Sequence, residues 1–375
     1  MDESPQPRIW FAHALRGIAC SLVVAGHMLE VFPREQTVVG QLGHFPPGPV
    51  VQTVWERPSL WLEGYGVSAA PVGVALFFLV SGFVIPFSLR DGSIGAFVTR
   101  RFFRLYPTLV ACLGVVLVAL WLQTFFDGLP LAVTSVDLIT NVSLLAPYTG
   151  NPWIEPVLWS LAVEELFYAV AAILAARRVL VRKAAVASVA VVLFAIAVVP
   201  GADGTRPAQF WLAFNATAVL FIFLGVVIHF VFAGRWRMRE GLVIGGTLGM
   251  LYGIALYVGP FAPNATIYLR SSILALGVFL TFLKLGDRVP RWRVLDAVSS
   301  ISYPLYMVHS VSGFVLMHAV YVRTDNYYLA LAVALPVAVC GAALIHRLIE
   351  VPTLAYGRRL GQRLTARSRS SIRTA

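Results

Sequence analysis

The sequence predicts an all-α, polytopic membrane helix bundle of about ten transmembrane helices with both termini cytoplasmic. Three observations carry that expectation. The 375 residues are 58% hydrophobic and only 13% charged, with a mean hydropathy of +0.79, too apolar for a water-soluble domain. Apolar runs close to the twenty or so residues needed to cross a bilayer recur along the whole chain. Between them, stretches rich in arginine and lysine alternate with stretches poor in them, as the positive-inside rule requires.

In order, the runs are 9–30, 70–89, 106–126, 157–176, 183–200, 208–232, 241–259, 265–284, 298–321 and 327–349. The first follows MDESPQPRIW, which lacks a basic n-region and a small-residue cleavage site, so it reads as a retained helix. The second holds FFLVSGFVIPF, where Ser81 and Gly82 suit close packing and Pro86 suits a kink. The third is entered through TRRFFRLYP, the fourth opens on WSLAVEELFY and the ninth carries SISYPLYMVHS. The fifth is short. With the N-terminus inside, only Arg34, Arg57, Arg206, Arg270 and Arg323 fall on the outer side. Two outer connections, 31–69 and 127–156, are long enough to form a lid or an acceptor surface, and the first carries HFPPGP among tryptophan-flanked segments.

No internal repeat or separate soluble domain is visible, so residues 1–355 read as one integral membrane domain. Residues 356–375 are basic and serine-rich and read as a disordered cytoplasmic tail lying near anionic membrane lipid. Cys20, Cys112 and Cys340 sit in apolar runs at no ligand spacing and read as packing residues. The excess of 29 basic over 18 acidic residues is accounted for by topology, and no nucleic-acid partner is expected.

Ionisable residues inside a membrane are expensive and mark candidate sites. Arg16 and His27 lie eleven residues apart, about three helical turns plus 20°, so one helix face carries both, about 16 Å apart along the axis. Each alone has a plain reading, snorkelling for Arg16 and an interfacial packing role for His27. Together they suit a path joining two compartments. Glu164 and Glu165 lie in the fourth run near the depth expected for His27. Adjacent helical residues diverge by about 100°, so at most one of them faces a shared site. A carboxylate there would orient an imidazole for general-base work.

Arg101 and Arg104, at i and i+3 on the cytoplasmic side, suit bidentate phosphate binding as well as topological anchoring. His309 sits mid-span among Ser302, Tyr303 and Tyr306, where it either lines a site or is satisfied by a neighbouring hydroxyl. The chain carries no P-loop, no GxSxG elbow and no HExxH, and its seven histidines show no metal spacing, so no metal is expected.

These motifs together resemble the acyltransferase 3 family of integral membrane acyltransferases. The resemblance runs from about residue 9 to 360. Its Arg-x10-His element is met by Arg16 and His27, its RxxR element by Arg101 and Arg104, and its SGF element by Ser81 to Phe83. Its WSLxVEExFY element is met by Trp159 to Tyr168 and its SYxLYxxH element by Ser302 to His309. The chain departs from the family's usual residues at His13, Ala75 and Leu166, and no SGNH-type domain follows the tenth run.

The resemblance implies transfer of an acyl group, most often acetyl from acetyl-CoA or another acyl-CoA, to a hydroxyl. The acceptor would be a glycan such as a polysaccharide, or another extracytoplasmic or membrane-accessible small molecule, at the cytoplasmic (plasma) membrane. Arg101 and Arg104 would hold the CoA phosphates, Arg16 would line the donor path or stabilise the thioester, and His309 would line the same path. His27 would act either as general base or as a transient acyl carrier, oriented or charge-balanced by Glu164 or alternatively Glu165. An exporter or flippase of a small acylated or glycosylated compound is the competing reading. Against it stand the lack of paired inverted halves and of matched broken helices.

Overall fold

A computed structural model describes residues 10–90, 93–199 and 206–373, and among these every regular element is helical. Residues 9 and 200 and the last two of the tail, placed above in the first run, the fifth run and the tail, lie outside the described residues, as does the rest of the N-terminal segment. The first helix, α1 (Trp10–Ala25), continues through a wide π-helical turn, Gly26–Val31. Next come α2 (Ala69–Arg90), α3 (Ile94–Phe126), α4 (Leu158–Ala176), α5 (Lys183–Ala197) and α6 (Pro207–Phe232). They are followed by α7 (Met238–Val258), α8 (Ala265–Leu285), α9 (Ser302–Val308), α10 (Val311–Thr324) and α11 (Tyr327–Ile345). A second π-helical turn, His346–Glu350, leads into α12 (Val351–Arg373).

The bundle is built around α2 and α6. Helix α6 is buried almost without interruption from Ala213 to Val227, as expected of a helix that is apolar on every side and surrounded by others. Helix α2 packs on α1, α6 and α8. Helix α7 instead turns Leu242, Val243, Met250 and Ile254 outward, an apolar face suited to lipid.

The crossing of α2 and α6 depends on two glycines. A methyl group added at Gly82 would press on the Ile222 carbonyl and lie 3.0 Å from the Gly225 Cα, and one added at Gly225 would lie 2.9 Å from the Gly82 Cα. The obstacles are backbone, which cannot rotate away. Gly82→Ala is therefore expected to cost about 1–3 kcal/mol, the range for overpacking a close-packed contact. The cost would be read as a lower midpoint of thermal unfolding in detergent. Gly246→Ala, where nothing lies within 4 Å of the added methyl, is the control that should leave the midpoint in place. Equal midpoints for both variants would refute the role given to the crossing.

Several expectations are corrected. Eight helices among the described residues are long and apolar enough to cross a membrane, or nine if a bent pair counts as one span, so the polytopic bundle stands with about one span fewer than the ten runs. The ninth run is a pair of helices, α9 and α10, bent by 55° at His309 and Ser310. The bend is possible because both buried helix ends at the break are satisfied from elsewhere. The His309 ring caps the Leu305 and Tyr306 carbonyls, and Glu155 accepts the Val311 N–H. The fifth run forms only fifteen helical residues, about 22 Å at 1.5 Å per residue, short of a full hydrocarbon core. The third helix begins twelve residues earlier than expected, at Ile94, because Ser93 caps its N-terminus and accepts the Ala96 N–H. Beyond residue 355, where disorder was expected, α12 runs helical to Arg373 along α3, with Gly357 against Phe103 and Gly361 against Arg100.

The two long connections are folded. The first contains helices Gln36–Gly43 and Glu56–Gly64, tied by a bidentate pair from Arg34 to Glu63 at 2.6 and 2.8 Å. It also lays Phe45 flat on His318, with ring centroids 3.6 Å apart. The second contains helix Ser135–Val142, opened by a Thr134–Asp137 capping box. The Asn141 side chain pins the strand-like return at Pro152 and Ile154.

Candidate active site

Two adjoining cavities take in five of the ionisable residues singled out from the sequence, Arg16, His27, Arg101, Arg104 and Glu164. The larger, about 1060 Å³, is lined by Arg16, Arg101, Arg104 and Arg358 against two carboxylates, Glu164 and Glu350. It is therefore net positive. The smaller, about 150 Å³, has His27 in its wall. Val74, Phe78 and Tyr306 line both, so the two are separated by side chains only.

In the larger cavity, α3 supplies Arg101 and Arg104 from one face, one turn apart, and α1 supplies Arg16 opposite them. The Arg101 guanidinium lies over the rings of Tyr168 (5.0 Å) and Phe97 (5.5 Å) and donates to the Ser88 hydroxyl at 3.3 Å. Those contacts hold its plane while leaving donors toward the cavity. Arg16 lies within electrostatic reach of Arg104, Glu164 and Glu350. Glu164 accepts a hydrogen bond from Ser81, so the residue expected only to ease helix packing is also a polar partner in the cavity wall. At the far end of α11, His346 Nδ1 meets Glu350 at 2.7 Å, one turn apart across the π-helical turn. His13 pairs with Asp296 at 2.9 Å.

The smaller site is organised by two imidazoles. His309 Nδ1 lies 2.9 Å from the Tyr306 carbonyl and 3.2 Å from that of Leu305. Carbonyls only accept, so Nδ1 carries the proton and Nε2 is left as an acceptor. His27 Nδ1 is 3.1 Å from that Nε2 and 2.9 Å from the Val23 carbonyl, and it too must donate. The proton of His27 is thereby fixed on Nδ1. Its Nε2 bears a lone pair and has no partner among the described residues, which is the form a general base requires. The rings meet edge to face, centroids 4.9 Å apart.

Glu155 stands behind this pair. It is fully buried, accepts the Val311 N–H at 3.1 Å and bonds Ser310, and so holds the helix break on which His309 sits. Burial pushes its carboxyl up to about 8, against hydrogen bonds from Val311, Ser310 and Val157 that favour the ionised form. Its Oε1 has no partner among the described residues.

A family model for this acyltransferase domain, acyltransferase 3, matches residues 9–347. The chain belongs to the acyltransferase 3 family. It is 29% identical over 324 residues to the acyltransferase MdmB of Streptomyces mycarofaciens, covering 78% of this chain and 82% of that one. No solved structure matches the chain.

In this membrane acyltransferase the residues singled out from the sequence divide between the cavities. Arg16, Arg101, Arg104 and Glu164 line the larger and His27 the smaller, while His309, expected along the donor path with Arg16, lines neither and is buried behind His27 at 3.1 Å. Glu164 does not orient His27 as expected: it bonds Ser81, and the imidazole's side-chain partner is His309. Glu165 is not among the cavity residues. Sequence reasoning passed over Glu155, His346, Glu350 and Arg358 as site residues. The His346–Glu350 pair was findable, being i and i+4 at the end of an apolar run. Arg358 had been assigned to the tail, and it lies beyond the matched region.

Proposed function

We propose that the protein is an acyl-CoA-dependent O-acyltransferase of the plasma membrane. It moves a short acyl group, acetyl in the simplest case, to a hydroxyl of a glycan or another extracytoplasmic or membrane-accessible acceptor. The observation that carries this reading is the juxtaposition of a net-positive cavity, large enough for an extended ligand, with an imidazole base just beyond its inner wall. Arg101 and Arg104 take the phosphates of the donor through charge-assisted bonds, with Arg358 at the same cavity. Arg16 lies along the path of the pantetheine arm, and Glu164 balances the arginine charges.

His27 Nε2 removes the proton of the acceptor hydroxyl as its oxygen forms a bond to the thioester carbonyl carbon. The carbon–sulfur bond then breaks, and the proton passes from the imidazolium to the departing thiolate. Ester and free CoA thiol leave, and His27 returns to its starting form. The Val23 carbonyl and His309 Nε2 together hold the His27 proton on Nδ1 throughout, and His309 so acts as a positioning residue.

The test is to supply membranes containing the protein with radiolabelled acetyl-CoA. Label should pass into an alkali-labile ester, with one equivalent of CoA thiol released per ester formed. Label that stays in CoA, with no thiol released from any acyl-CoA, would exclude the reading.

A further inference from the structure

The smaller cavity beside His27 also has a shape and a chemistry of its own. It holds about 150 Å³, and much of its wall is hydrocarbon, from Val74, Ala75, Phe78, Ala218, Phe221 and Phe261. Three of the four hydroxyls that reach it are already engaged. Those of Tyr252 and Ser272 bond each other at 2.8 Å, and that of Tyr306 bonds Ser160 at 2.8 Å. A sugar ring seated here would bring several hydroxyls into a wall with few open partners, which disfavours it. An aliphatic chain needs no partners. An apolar cavity of about 150 Å³ holds a benzene molecule, so the space takes about five or six carbon-sized atoms.

The cavity is also in the right place. It shares Val74, Phe78 and Tyr306 with the arginine-lined cavity, so a thioester arm reaching past those side chains would deliver its acyl end here. His27 in the same wall would then stand beside the carbonyl carbon. We propose that this cavity is the acyl-chain pocket and that it sets the donor class as short acyl-CoAs, from acetyl to about five carbons. The proposal rests on the acyl-CoA reading above. Ala218 and Phe221, from the buried stretch of α6, are its specificity-determining residues.

Displacement of radiolabelled acetyl-CoA from the purified full-length protein tests this without knowledge of the acceptor. Unlabelled acetyl-, propanoyl-, butanoyl-, pentanoyl- and octanoyl-CoA serve as competitors. In the wild type, affinity should rise about threefold to fourfold per added carbon, the gain from burying a methylene, and then fall at octanoyl. Ala218→Leu adds three carbons to the wall and should lower the pentanoyl-to-acetyl affinity ratio at least tenfold. Phe221→Leu opens the wall and should raise the octanoyl-to-acetyl ratio. Ratios between donors cancel the fraction of correctly folded protein, so weakened variants still report. Affinity independent of chain length in wild type and variants alike would overturn the pocket while leaving the acyl-CoA reading intact. Failure of the wild type to bind acetyl-CoA at all would overturn both.

Discussion

His27→Ala should lower kcat for acyl transfer at least a hundredfold and leave the KM for acyl-CoA within a fewfold of wild type. General-base catalysis is worth about 10²–10⁴ in rate, and the base is lost outright in this variant. On the proposed reading the donor phosphates would bind the arginines of the other cavity, so donor affinity has no reason to follow. Folding should survive, because His27 is only partly buried and its own bonds go to a single carbonyl and a single imidazole. His309→Ala is the informative companion. It keeps the base and its Nδ1 bond to the Val23 carbonyl but removes the second partner that holds the ring, so kcat should fall by less than in His27→Ala, again at near-constant KM. The check is thiol release against donor concentration for all three proteins. Transfer by His27→Ala near the wild-type rate would remove the histidine from the chemistry.

Arg101→Ala should raise the KM for acetyl-CoA by about 10–100-fold. The side chain lies over two aromatic rings and is kept in one orientation, so its donors are preorganised for an anion. Hydrogen bonds to charged groups are worth about 1.5–3 kcal/mol, which sets that range. The decisive comparison is with acetyl-pantetheine, which lacks the nucleotide phosphates. Wild type and variant should handle this truncated donor alike. An equal loss on both donors would make Arg101 a structural residue of the Phe97–Tyr168 contact and not a phosphate ligand.

Hydropathy and arginine placement were enough to read a helical membrane bundle, because a bilayer admits few other ways to satisfy a backbone. Most run boundaries fell within a few residues for the same reason. The break at His309 and Ser310 was hidden because neither residue is a helix breaker; it is sustained by Glu155, more than 150 positions away. Long-range caps of that kind leave no local trace. Glu164 shows a related limit. Its depth was legible, yet depth alone did not say which neighbour its helix face would meet, and the α2 face bearing Ser81 took it in place of His27. The spacing of Arg16 and His27 was read as uniform α-helix, whereas a π-helical turn begins at Gly26, and nothing in GHMLEV announces it. Both residues still line adjoining cavities, because the wide turn begins only one residue before His27. The tail was misread because only composition was weighed. The segment packs along α3 through its glycines, Gly357 against Phe103 and Gly361 against Arg100.

The wall shared by the two cavities has an electrical consequence. Val74, Phe78 and Tyr306 border both cavities, and the partition they form carries no charged group. A carrier must open a wetted passage through its whole depth, and each cycle risks letting ions slip through. On the acyl-CoA reading proposed above, only a few neutral carbon atoms would cross a hydrocarbon partition, while the charged nucleotide would stay with the arginines on one side. Group transfer built in this way would leave the membrane an insulator at every stage of turnover, and a cell could then run it continuously without discharging its ion gradients.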